Sequence, residues 1–349
     1  MTRFWTDTVN RLTPYVPGEQ RSGDTVVKLN TNENPYPPSP QVMQAIAHVT
    51  GHQLRRYPDP ESVALRSALA HYHGVGVENV FVGNGSDEIL ALAFLAYFTD
   101  GLALQYPDIT YSFYPVYCDL YGIESRTISL EPDFSLSLDR FKPNEGSIIF
   151  PNPNAPTAMA TSAESIAQLL TTHTEQVMLV DEAYADFGAH SVIPLIHEYP
   201  NLLVSHTFSK GRSLAGMRLG VAFGEASLIA GLQRVKNSFN SYPVDAVAEA
   251  AGCASIADDE YYKATIETII ETRAWTVAEL EKRGFKVLPS AANFVFAKAP
   301  DHSAAELFAR LGDAGVLVRY WNQSRLASWL RISIGTMQDM QKLISTIDA

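Results

Sequence analysis

Cysteine is almost missing from this chain. Cys118 and Cys253 are the two in 349 residues, too few for a disulfide framework and without neighbours at metal-ligand spacing. We read both as buried thiols. Positive charge is also scarce, with 26 Lys and Arg against 38 Asp and Glu and a formal net charge of −12. Such a surface repels a nucleic-acid backbone and an anionic bilayer, so neither is an expected partner, and an anionic ligand must be drawn in by a local site. Long apolar runs are lacking too. The longest, Ile89–Phe98, is too short to cross a bilayer, and Met1–Asn10 has no continuous apolar core of the signal-peptide kind. The expected location is therefore cytoplasmic.

What remains is the composition of a folded enzyme, 46% apolar and 18% charged, long enough for about two domains. Residues 1–29 read as an irregular arm, because Pro14, Pro17 and Gly18 interrupt any helical period. From Gln41 onward, apolar helical segments alternate with short β-rich runs at Val80–Val82, Leu102–Gln105, Ser147–Phe150, Gln176–Val180, Leu202–Ser205 and Leu219–Phe223. That alternation predicts an α/β unit with a mostly parallel sheet covered on both faces, and ligands in such sheets gather beyond the carboxyl ends of strands. Val244–Arg283, rich in Ala, Glu and Ile and free of Pro, predicts a long helix leading away from the sheet. A smaller α+β unit follows, with strands expected at Asn293–Ala297, Val316–Arg319 and Leu330–Ile334 and helices at Ser303–Leu311 and the C-terminus. The expected division is an arm at 1–29, a large domain at 30–243 and a small domain at 244–349.

Three segments carry chemistry. In Val82-Gly83-Asn84-Gly85-Ser86-Asp87-Glu88, a strand ends in two glycines and Ser-Asp opens a helix. Glycines let backbone N–H groups approach a phosphate, and the free N–H groups of a new helix favour negative charge; equally, the pattern describes a turn capped by Ser86 or Asp87. In Thr207-Phe208-Ser209-Lys210-Gly211-Arg212, a lysine again follows a β-rich run, with Arg218 eight residues on. Burial can make such an amine nucleophilic and a guanidinium fork suits a phosphate, although Ser-Lys alone more often marks a surface charge. In Asp181-Glu182-Ala183-Tyr184, an acid closes an apolar strand. A carboxylate there can pair with a protonated ring nitrogen; a metal reading lacks a third ligand, and no metal is expected.

Taken in order, the three segments resemble the fold type I pyridoxal-phosphate (PLP) aminotransferases, and the resemblance covers nearly the whole chain. Leu29–Pro38, Arg56–Asp59, Thr110–Tyr114, Pro151–Thr157 and Leu330–Thr336 resemble the histidinol-phosphate aminotransferase branch in particular. The resemblance implies that Lys210 carries the cofactor covalently and moves the proton, that Asp181 holds the pyridinium nitrogen, and that Tyr184 holds the ring's phenolic oxygen. It implies a ring stacked on Tyr111 and a phosphate surrounded by Gly85, Ser86, Asp87, Thr207, Ser209 and Arg218. Tyr57 is implied to reach the phosphate of a neighbouring subunit's cofactor, which makes the expected assembly a homodimer. Tyr15, Asn32, Arg319 and Arg331 are the implied substrate contacts. The implied reaction transfers the amino group of L-histidinol phosphate to 2-oxoglutarate, giving L-glutamate, in histidine biosynthesis. The alternatives are an aromatic amino-acid aminotransferase and a PLP lyase resembling threonine-phosphate decarboxylase. A PLP-sensing transcription regulator is disfavoured because no basic DNA-binding module precedes the fold.

One departure stands out. Such enzymes usually read Asn-Pro-Thr-Gly where this chain has Ala155-Pro156-Thr157-Ala158, so the asparagine that normally helps Tyr184 is displaced. Asn154 is the expected substitute, with Asn152 the alternative, and Ala158 implies a turn with no need of a glycine-only conformation.

Overall fold

The computed structural model describes residues 3–16, 18–21, 26–300 and 303–349. Pro17, expected to interrupt the arm, lies outside them. The arm is less irregular than expected, since Thr6 caps a short helix, Asp7–Arg11, by accepting from Val9 N–H. A two-residue strand, β1 (Val27–Lys28), then follows.

Seven strands form the large sheet: β2 (Val80–Asn84), β3 (Leu104–Pro107), β4 (Ser125–Ile128), β5 (Ile148–Pro151), β6 (Met178–Asp181), β7 (Leu202–Thr207) and β8 (Leu219–Gly224). Their spatial order is β2-β8-β7-β6-β5-β3-β4, with β8 antiparallel to both neighbours and the other pairings parallel. Successive side chains of a strand point to opposite faces, and both faces here are covered. Val80, Ile148, Phe150, Val180, Val204 and Phe223 pack on one side with helices Val63–His73, Ala163–Thr172 and Ala246–Ala257. Phe81, Ile149, Leu179, Leu203 and Ala222 pack on the other with helices Gly85–Tyr97 and Ala226–Phe239. Each large side chain so buried contributes about 1.5–3 kcal/mol. That explains why the strands read as unbroken apolar runs.

The second unit has an antiparallel sheet ordered β12-β13-β10-β9, from β9 (Lys286–Val287), β10 (Phe294–Lys298), β12 (Arg319–Tyr320) and β13 (Trp329–Ser333). Strand β11 (Val316–Leu317) pairs in parallel with β1, so the end of the arm is tied to this unit.

Two expectations change. Val244–Arg283 is two helices, Ala246–Ala257 and Asp259–Lys282, with the chain turning at Asp258 (φ −92°, ψ 60°). Val244, Ala248, Ala251 and Ile256 belong to the core of the large sheet, whereas Ile266, Ile269 and Leu280 belong to that of the second unit. One straight helix cannot serve both cores. We therefore propose the division near Asp258 rather than at 243/244. Ala158 is the second case: its φ is 65°, the left-handed region that glycine favours, so the turn does take a conformation costly for a residue with a Cβ. Ala158 is held there by donating to Asn154 O and accepting from Ala291 N–H.

Strand β8 supplies a test. A Cβ on Gly220 would lie 2.3 Å from the backbone carbon of Gly85, whereas one on Gly224 would meet the end of the Leu203 side chain at 3.1 Å. Gly220→Ala is expected to lower the unfolding free energy by about 2–4 kcal/mol because backbone must move, and Gly224→Ala by about 1 kcal/mol or less. Urea unfolding of the two variants checks the ranking.

Candidate active site

The carboxyl ends of β2, β5, β6 and β7 and the start of β8 open into one cavity of about 660 Å³. Thirteen of the expected site residues line it: Tyr15, Asn32, Ser86, Asp87, Tyr111, Asp181, Tyr184, Thr207, Ser209, Lys210, Arg218, Arg319 and Arg331. The parallel crossovers bring the large sheet's strand ends to one edge, and the arm and the second unit's β12 and β13 close over it, so residues more than three hundred positions apart meet here.

Asp181 ends β6 and is almost wholly buried. Its Oδ1 accepts from Ser205 Oγ at 3.0 Å and from Ala183 N–H at 3.3 Å, and its Oδ2 accepts from Tyr114 Oη at 3.1 Å. Burial pushes its carboxyl up to about 6. A buried carboxylate fixed on both oxygens and facing a cavity suits a cationic ring N–H, which would return it to the charged form. Ser205 and Tyr114 were not among the expected residues. Ser205 is the register partner of Asp181 on the adjacent strand, a relation that only strand pairing reveals.

Helix Gly85–Tyr97 begins at the cavity with Gly85 at φ 78°. A Cβ there would sit 2.6 Å from Arg218 Nη2, and Gly220 presses on the same turn, so the backbone N–H groups at the helix start are uncovered for an anion. Gly85 thus shapes the cradle from beneath instead of lining the cavity. Arg218, itself left-handed at φ 53°, donates to Asp87 Oδ2 at 3.2 Å, and Tyr111 Oη donates to Asp87 Oδ1 at 3.1 Å. Gly220 escaped the sequence reading, although a glycine inside an apolar strand is a signal of close approach.

Lys210 Nζ donates to Thr31 O at 2.9 Å and lies 5.8 Å from the Tyr184 ring centroid. Burial, then repulsion from Arg331, lowers it to about 8. Asn34 Nδ2 donates to Lys210 O and Gly211 O, clamping the loop. Arg331 Nη2 donates to Asn30 O at 2.7 Å, its Nε is buried without a partner, and Arg319 Nη2 donates to Val16 O. No carboxylate pairs with Arg319 or Arg331 among the described residues. Trp321, not anticipated, has both guanidiniums 5.4 Å from its ring centroid.

Two expected residues stand apart from the cavity. Asn154 Nδ2 donates to Ile109 O and Thr157 Oγ1, so its amide is committed elsewhere, and the same holds for Asn152, paired with the backbone of Thr161. Neither fills the place left by Ala155. Tyr57 is 82% exposed and stacks on Tyr242 with centroids 4.6 Å apart. Among the described residues no cluster of His, Cys, Asp and Glu could hold a metal, and no helix is long and apolar enough to cross a membrane.

An anion cradle with an arginine, a buried carboxylate, a facing tyrosine and a low-pKa lysine at one sheet edge define a PLP-dependent transferase of fold type I, and the donor set fits that cofactor. The chain belongs to the aminotransferase class I and II family, whose model matches residues 24–347. It is 50% identical over 344 residues to histidinol-phosphate aminotransferase 1 of Pseudomonas fluorescens, covering 99% of this chain and 98% of that one. A histidinol-phosphate aminotransferase of Clostridium botulinum is 48% identical over 347 residues, covering 99% and 98%. The solved histidinol-phosphate aminotransferase of Sinorhizobium meliloti, in complex with pyridoxal-5′-phosphate, superposes with a TM-score of 0.88 at 25% identity, covering 99% of this chain and 96% of that one. The chain is an aminotransferase and PLP is its cofactor.

The lowered lysine sets a pH dependence. Below about 8 the Lys210 ammonium has no lone pair to attack with, and the neutral amine accumulates as pH rises through that value. The rate at which the cofactor-free protein develops the visible absorbance of bound PLP is expected to rise about tenfold per unit below that pH and level off above it. Stopped-flow mixing across pH 6–10 measures it.

Proposed function

We propose that the chain transfers the amino group of L-histidinol phosphate to 2-oxoglutarate, giving imidazole-acetol phosphate and L-glutamate, and so acts in histidine biosynthesis. The observation that carries this reading is the Arg319 and Arg331 pair, two guanidiniums without carboxylate partners among the described residues, facing the cavity that holds Lys210. A phosphate dianion takes both forks, and the distal carboxylate of glutamate can take its place in the other half of the cycle. An aromatic amino acid has no second anion and would leave a desolvated arginine unpaired, which is costly. The relatives from Pseudomonas and Clostridium support the same substrate.

When bound, PLP supplies the electron sink that allows the substrate's Cα–H bond to break heterolytically. Asp181, held by Ser205 and Tyr114, keeps the ring nitrogen protonated. Tyr111 would cover the ring face, and Ser86, Asp87, Thr207, Ser209 and Arg218, which line the same cavity, would hold the phosphate. Lys210 Nζ anchors the cofactor and moves the Cα proton, since it stands at the cavity floor with a pKa near the working range. Trp321 lies against both guanidiniums, and Tyr15 lines the same cavity. Exposed Tyr57 is placed at the phosphate of a partner subunit in a homodimer, and the location is cytoplasmic.

The test is the half-reaction with L-glutamate, read from the loss of the bound cofactor's visible band, followed by turnover of histidinol phosphate. A lyase would release carbon dioxide without consuming 2-oxoglutarate. Lys210→Ala is expected to reduce turnover by on the order of 10⁴-fold or more and to remove the visible band. Arg319→Ala is expected to raise KM for histidinol phosphate by about 10- to 100-fold while changing KM for phenylalanine little. Equal losses on both substrates would refute the phosphate assignment.

A further inference from the structure

We propose that Asn32 is a positioning residue that points the Tyr184 hydroxyl proton into the cavity, taking over the part left vacant at Ala155. The inference rests on the reading of Tyr184 as the donor to the cofactor's phenolic oxygen. A phenol can donate one hydrogen bond and accept others, whereas an amide nitrogen only donates. Asn32 Nδ2 lies 3.1 Å from Tyr184 Oη, so the phenol accepts from Asn32 and its own proton must go elsewhere. Among the described residues Tyr184 Oη has no other hydrogen-bond partner, which leaves that proton for whatever occupies the cavity.

The direction of this bond is set by a second residue. Ser333 Oγ accepts from the Asn32 backbone N–H at 2.9 Å and donates its own proton to Asn32 Oδ1 at 2.8 Å. With the amide reversed, the buried Ser333 hydroxyl would accept twice and have no acceptor for its own proton among the described residues, so Nδ2 is the end that faces Tyr184. Asn293 Nδ2 donates to Asn32 O at 3.0 Å, and Asn32 is 1% exposed. Each of its polar atoms thus has a partner within the protein, and one of the two Nδ2 hydrogens is spent on Tyr184. Its backbone sits at φ 56°, a region asparagine tolerates better than most residues. The other candidates are excluded by geometry, since Ala155 has only a methyl and the amides of Asn154 and Asn152 are bonded elsewhere.

The charged groups facing Tyr184 are Arg331, Asp181, Asp87 and Lys210. These are unchanged by Asn32→Gly, so a titration of that variant isolates the amide. Two variants suit the backbone: Asn32→Gly is at ease at positive φ and deletes the amide, and Asn32→Asp keeps the shape but offers an acceptor that turns the phenol proton away from the cavity. Each is made in the holoenzyme with Tyr184 intact and with Tyr184→Phe, and the pH midpoint of the bound cofactor's visible band is recorded. With Tyr184 present, Asn32→Gly is expected to raise the midpoint by about 0.5–1 pH unit, and Asn32→Asp at least as much. In the Tyr184→Phe background the Asn32→Gly shift should vanish, since the effect runs through the phenol, while Asn32→Asp should keep only the smaller through-space effect of its charge.

If Tyr184→Phe shifts the midpoint but neither position-32 variant does, the role of Asn32 is overturned. An Asn32→Gly shift that persists in full without the Tyr184 hydroxyl overturns it as well, because the effect would then be through space. If Tyr184→Phe itself leaves the midpoint unchanged, the reading of Tyr184 on which the inference rests fails instead.

Discussion

A lysine that has to give up its proton near neutral pH constrains everything around it. Lys210 reaches that state because its amine is withdrawn from water and faces the guanidinium of Arg331, both of which disfavour the ammonium. Those same conditions would leave a buried amine without hydrogen-bond partners, and the carbonyl of Thr31 answers that need. Thr31 in turn is held by its neighbours: Asn30 O accepts from Arg331, Asn32 O accepts from Asn293, and Asn34 caps the lysine's own loop. One extended stretch of five residues therefore touches the cofactor anchor, the proposed phosphate site and the ring-facing tyrosine. The short β1–β11 pairing matters for this reason, because it fixes where that stretch enters the site.

Backbone strain follows the same map in part. Of the seven non-glycine residues at positive φ among the described residues, Asn32, Ala158, Ser213 and Arg218 lie in segments that border the cavity or carry its loops, whereas Ser62, Phe134 and Asn144 lie elsewhere. Each costs on the order of 1 kcal/mol or more, tolerated only where surrounding contacts over-determine the conformation. For Arg218 the gain is an aimed guanidinium beside the helix start, and for Asn32 it is an amide delivered to Tyr184. The apolar strands beneath provide the rigidity. Side chains such as Ile149, Leu179 and Leu203 are wholly buried and cannot yield without opening cavities.

Much of this was legible in the residues. Strand identity was plain because a strand buried on both faces is an unbroken apolar run, and Asp181, Lys210 and the Gly85 turn sit where such runs end. The misreadings share a cause, which is that each depended on a partner far away in the chain. Val244–Arg283 has continuous helical composition, and only the existence of two separate cores explains the break at Asp258. Asn154 looked available by sequence proximity to Ala155, but its amide was already taken by Ile109 O, 45 residues away. Asn32 reaches Tyr184 across 152 positions, and Ser333 orients it across 301. Ser205 and Gly220 carried weaker signals, register and an intra-strand glycine, that acquire meaning once the sheet order is known.

The charge distribution sharpens the functional reading. A chain of net charge −12 gains nothing from long-range attraction for phosphorylated or dicarboxylic substrates, and at physiological ionic strength fields beyond about 8 Å are screened. Recognition of an anion must then be made at contact, by cations lining the cavity. The cavity separates two such places: Arg218 with the uncovered helix start near Ser86, and the cross-strand partners Arg319 and Arg331 beside Trp321. The first is partly neutralised by Asp87, whereas the second has no carboxylate among the described residues. A cofactor that stays bound needs only a modest electrostatic gain at its phosphate, because the lysine also holds it. A substrate that must arrive and leave as an anion has no covalent anchor, and the unneutralised pair is where its binding energy has to come from.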